Sequence, residues 1–77
     1  MTDDRVGTLQ MQPSGRWAIC RPGRDPVEIT SGEVFHVEVA GELKPTRMEF
    51  RHHKGGGGEY FSVDGYPLRD GLRASLP

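Results

Sequence analysis

The chain has 77 residues, of which 34% are apolar, with Gly 11 and Pro 6 and a formal net charge of −1. That length bounds it to one small domain with a thin core, and the glycine and proline content asks for many tight turns. The near-neutral balance argues against a general nucleic-acid binder, which carries a surplus of lysine and arginine.

Taken along the chain, no stretch has a convincing helical period. Apolar residues alternate, and glycine or proline interrupts almost every window. The first residues, MTDDR, are acidic and polar, unlike a secretory signal. Residues 1–5 are expected to be a flexible N-terminus of a single domain spanning 1–77. Strands are expected at about 6–11 (VGTLQM), 16–20 (RWAIC), 26–29 (PVEI), 33–40 (EVFHVEVA), 46–53 (TRMEFRHH), 59–63 (EYFSV) and 72–76 (LRASL). Turn signals separate them: Pro13-Ser14-Gly15, Pro22-Gly23-Arg24-Asp25, Ser31-Gly32, Gly41, the run Gly55 to Gly58, Asp64-Gly65 and Asp70-Gly71. The expected core is Leu9, Trp17, Ile19, Phe35, Val37, Val39, Met48, Phe50, Phe61, Val63, Leu68, Leu72, Ala74 and Leu76.

Two hairpins can be given a register from side-chain matching. With Phe35 opposite Phe50, Val37 meets Met48 and Val39 meets Thr46 on an apolar face. Glu38 then meets Arg47, His36 meets Glu49 and Val34 meets Arg51 on a charge-compensated face. With Phe50 opposite Phe61, the next turn falls on Gly55-Gly56, a pair suited to the positive φ of a type I′ turn, and two glycines are spare.

Chemistry is thinly represented. The glycine run is followed by Glu59 and a strand, and Lys54 precedes it, so it lacks the order of a phosphate-binding loop. His52 and His53 are adjacent and point to opposite faces of a strand, and His36 and Cys20 complete no metal-ligand spacing. A single Cys20 permits no internal disulfide and fits a reducing compartment. No nucleophile comes with a base and an orienting carboxylate, so no enzyme activity, cofactor or metal is expected. The strongest functional signal is a row that parity turns away from the core: Arg47, Glu49, Arg51 and His53, flanked by Glu38, His36 and Tyr60. An exposed tyrosine beside arginine has the character of a protein-interface anchor, and the same pair can stack on single-stranded bases. Arg16, Arg21 and Arg24, the last two in the loop RPGRDP, form a secondary candidate set.

The pattern SGEVFHVEVAGE (31–42), TRMEF (46–50), GEYF (58–61) and PLRDGLRASL (67–76) resembles a family of small bacterial proteins from phages and mobile elements built as SH3-like barrels. Where those relatives carry a tryptophan after the turn glycine, this chain has Gly41-Glu42-Leu43. The segments MTDDRVGTL, GRWAICRPGR (15–24) and ITSGEVFHVEVAG (29–41) also look like phage-borne type I-C anti-CRISPR proteins. The resemblance implies an all-β, strongly bent antiparallel barrel of about five principal strands. YPLRDGL (66–72) would supply the short 3₁₀ turn that precedes the last strand of that fold. It also implies a non-enzymatic protein in the cytoplasm of a bacterial host, which binds the type I Cascade effector complex and blocks target DNA. The alternative is an SH3-like module that binds nucleic acid or protein. Direct DNA binding and a membrane partner are not expected, and the chain should be a monomer or weak homodimer. An edge strand, 6–11 being the candidate, would carry such a dimer.

Overall fold

The computed structural model describes residues 4–77, and these form one strongly curled antiparallel sheet with no helix. Its strands are β1 (Val6–Met11), β2 (Trp17–Cys20), β3 (Val27–Ile29), β4 (Val34–Val39), β5 (Glu42–His52), β6 (Gly58–Ser62) and β7 (Arg73–Ser75). Their order across the sheet is β3-β2-β1-β7-β4-β5-β6. Five of them, β1-β7-β4-β5-β6, form a contiguous set in which the last strand is inserted between the first and β4. The β2–β3 hairpin extends this set on the β1 side.

Alternation accounts for the curl. Leu9, Trp17, Ile19, Ile29, Phe35, Val37, Met48 and Ala74 lie on the concave face, and with Leu72 they form the buried core. Val39, Tyr60, Tyr66, Leu68 and Leu76 pack against its margin. Burying this face holds the half-barrel closed, since a sheet with one apolar side folds only by covering it. Ala18 is also fully buried, although it points the other way in β2. Segment 66–72 makes a single turn at Asp70-Gly71, closed by the Leu72 amide donating to the Arg69 carbonyl at 3.2 Å. No 3₁₀ helix forms there.

Both expected registers are corrected. In the β4–β5 hairpin Phe35 lies opposite Thr46, four residues short of Phe50, and Val39 lies opposite Glu42. A two-residue turn at Ala40-Gly41 sets this, with φ of 52° and 82°. Both values suit the twist of a hairpin, and the tight turn closes a shorter loop than the one expected. Because the shift is even, each residue keeps its face. Strand β5 therefore begins at Glu42 and runs through Pro45. That proline stands where β5 has β4 on one side and no β6 residue on the other, so its missing N–H leaves no ladder bond unmade.

In the β5–β6 hairpin Phe50 lies opposite Tyr60 and Glu49 opposite Phe61, a slip of one residue that reverses every face of β6. The His53 amide donates to the Gly57 carbonyl and the Gly56 amide to the His53 carbonyl, so three residues, not two, form the loop. Gly55, Gly56 and Gly57 all have positive φ. Gly58 is extended, and a Cβ there would strike the Phe50 ring and the Arg51 carbonyl. No glycine is spare. Tyr60 turns inward, while Phe61 leaves the core and Val63 and Phe50 are exposed, at 41% and 36%.

Candidate protein-binding face

The convex face of β4–β5–β6 can be laid out row by row from the observed register. Val34 faces Arg47, and the Val63 amide donates to the Arg47 carbonyl at 3.0 Å, so Val34, Arg47 and Val63 make one transverse row. Glu49 and Phe61 form the next row, and Arg51 and Glu59 the one after. Val34 is 50% exposed. The Arg51 guanidinium lies over the Phe61 ring, 4.2 Å from its centroid. A planar cation stacked on an aromatic face is held with little side-chain freedom left to lose on binding.

The charges of this face are paired locally. Arg47 Nε donates to Glu49 at 2.7 Å, and Ser31 Oγ donates to the same carboxylate at 2.9 Å. The Ser31 hydroxyl and then Arg47 hold the Glu49 carboxyl below its ordinary range. Arg51 lies 3.6 Å from Glu59, and His53 lies 3.9 Å from the same group. Two arginines and two glutamates leave a mixed field that does not focus phosphate.

The residues expected to share one surface are thus divided. Arg47, Glu49, Arg51 and His53 stand together on the outer side of β5 and its loop. Tyr60 lies on the opposite face, at the core margin, where it accepts a hydrogen bond from Arg16 Nε at 3.3 Å. Phe61 takes its place beside Arg51, so the arginine–aromatic pair exists with the neighbouring residue of the chain. Glu38 and His36 are carried four residues along by the β4–β5 register, opposite Leu43 and Pro45. Glu38 pairs with Arg73 at 3.6 Å, and His36 lines a shallow dimple with Arg5, Leu43, Ser75 and Leu76.

The secondary set is not one site. Arg16 lies 3.6 Å from Glu28 at one end of β2. Beyond the other end, Arg21 donates to the Asp4 carbonyl and Arg24 pairs with the Asp4 carboxylate at 2.8 Å. The Arg5 carbonyl accepts from the Leu76 amide, so residues 4 and 5 are tied to the body of the domain. The expectation of a flexible start otherwise falls on residues 1–3, outside the described residues.

Among the described residues no three His, Cys, Asp or Glu side chains come within reach of one metal ion. Thr46 Oγ1 donates to Asp64 at 2.7 Å and lies 2.7 Å from the buried Ser62 hydroxyl. With its one proton committed to the carboxylate, Thr46 accepts from Ser62, and the chain of bonds pins the Asp64-Gly65 turn onto β5. No helix among the described residues is long and apolar enough to cross a membrane. No family model, curated protein or solved structure matches the chain.

Proposed function

We propose that the protein is a non-enzymatic binding module that docks a protein partner on the convex face of β4–β5–β6. One observation carries this reading: Val34 and Val63 stand exposed on either side of Arg47, next to the Arg51–Phe61 stack. Exposed aliphatic side chains around a stacked arginine–aromatic pair have the make-up of an interface centre, with the ion pairs as its polar rim. The balanced charge favours a protein over nucleic acid as the partner.

The sequence resemblance suggests which partner to try first, the type I-C Cascade complex, and an inhibitor of that complex is the biological role we propose. A tagged chain expressed in cells carrying a type I-C system should retain Cascade. The double variant Val34→Ser/Val63→Ser, folded by circular dichroism, should lose it at least tenfold. Retention of Cascade by that variant at parental strength would overturn the choice of face. If the parent ignores Cascade and shifts DNA with a steep salt dependence, the nucleic-acid module is the correct reading.

A further inference from the structure

The sheet has two ends, β3 and β6, and β1 is an interior strand. The edge expected at residues 6–11 is therefore closed on both sides, by β2 and β7. The end at β6 is different. The bonds that fix its register, Val63 to Arg47 and His53 to Gly57, turn the main-chain groups of Val63, Phe61 and Glu59 toward β5. The alternate residues, Gly58, Tyr60 and Ser62, then direct their amides and carbonyls outward. Among the described residues only one of these groups has a main-chain partner, the Ser62 carbonyl, which accepts from Gly65 at 2.9 Å.

Proteins usually guard such an edge with proline, lysine, a bulge or an inward charge. Between Gly58 and Val63 there is one charged residue, Glu59, and it is engaged by Arg51 on the outer face. Tyr60, Phe61 and Val63 have high β-propensity, and Gly58 and Ser62 are small enough to let a second strand approach. We propose that β6 pairs antiparallel with β6 of a second copy of this chain, centred on Tyr60, to give a continuous sheet across a two-fold axis.

The register follows from the outward groups. Centring on Tyr60 pairs Gly58 with Ser62, Tyr60 with Tyr60 and Ser62 with Gly58, so all three outward residues are matched. No other centre matches all three. The inner face is self-complementary in the same register. Phe50 and Tyr60 are already a close, non-hydrogen-bonded pair with ring centroids 4.8 Å apart. The second copy would extend this to a row of four rings: Phe50, Tyr60, Tyr60, Phe50. Cross-strand aromatic pairs of this kind stabilise a sheet beyond their area. A two-fold axis normal to the sheet leaves both convex faces on one side. The dimer would therefore present the Val34–Val63 surface twice, and a partner with repeated subunits would be held by both.

The chain is short enough for chemical synthesis, which allows a test confined to the main chain. Methylating the Tyr60 nitrogen keeps every side chain and removes one outward donor. Sedimentation equilibrium from about 10 μM to about 1 mM should show the parent passing from monomer toward dimer, and the methylated chain monomeric throughout. Isotope-filtered spectra of mixed labelled and unlabelled copies should connect Gly58 with Ser62 across the interface. A parent that stays monomeric over this range overturns the proposal, as does a methylated chain that dimerises equally. A dimer lacking the Gly58–Ser62 contact also overturns it. The Val34→Ser/Val63→Ser variant should dimerise normally, which separates this result from the fate of the docking face.

Discussion

Two single positions show how tightly the backbone is drawn. Gly7 pairs with Ala74, and a Cβ on it would meet the Cys20 carbonyl and the Arg21 side chain 2.8 Å away at Cγ. The obstacle is main chain, which cannot swing aside as a side-chain tip can. Gly7→Ala should therefore destabilise by about 1–3 kcal/mol, the range for overpacking, as read by urea unfolding. Parental stability for that variant would mean β1 and β2 lie farther apart at this point. Glu33 supplies a titratable case. Its carboxylate accepts the Thr30 amide at 2.8 Å and the Thr30 hydroxyl at 2.7 Å, and these bonds hold its pKa below the ordinary value. A folded pKa below the unfolded one gives stability that is present above the unfolded value and is lost as pH falls through the folded value. Glu33→Gln should lower stability at neutral pH, where the carboxylate's bonds to Thr30 contribute, change little in strong acid, and so flatten the loss of stability on acidification. An unchanged acid limb in thermal melts would remove Glu33 from that account.

At the scale of elements, strand positions were legible because alternation and turn residues mark them independently of pairing. Registers were less so. The concave face of β4 and β5 survived a four-residue error, since Phe35, Val37 and Met48 keep their side under any even shift. The β6 faces did not survive an error of one. Tyr60 and Phe61 are adjacent aromatics, so either fits a core by size, and only the loop length chooses between them. Four consecutive glycines conceal that length, because each can adopt any turn conformation. Three of them, Gly55 to Gly57, take positive φ, and the fourth, Gly58, leaves room for the Phe50 ring. Gly58→Ala should accordingly loosen the arm and spare the body. Hydrogen exchange is expected to speed at Arg51 and Glu59 while Leu9 and Val37 stay protected. Equal loss of protection at all four would show the hairpin and body to be one cooperative unit.

For the whole molecule, the shape separates two phenylalanines that the sequence ranked alike. The extents are 47 × 25 × 19 Å and the radius of gyration is 12.4 Å, against about 11.5 Å for a compact chain of this length. The excess is consistent with the β5–β6 arm, which runs past the end of β4 from Phe50 onward. Phe35 is fully buried in the body, among the strands that close the half-barrel. Phe50 sits on the arm, against Tyr60 and edge-on to His52 at 4.8 Å, with over a third of its surface open. Removing the Phe35 ring leaves a cavity walled by β-strands that cannot collapse together, at a cost of about 3–5 kcal/mol. Removing the Phe50 ring mostly exposes surface already close to water, at a cost of about 1 kcal/mol. A domain this small has only a few kcal/mol in hand. Phe35→Ala should be largely unfolded at room temperature, while Phe50→Ala should melt cooperatively a few degrees below the parent. If Phe50→Ala unfolds as completely as Phe35→Ala, the arm packs into the core and the one-residue register of β6 is wrong. The reverse result, a folded Phe35→Ala, would move the centre of the core away from β4.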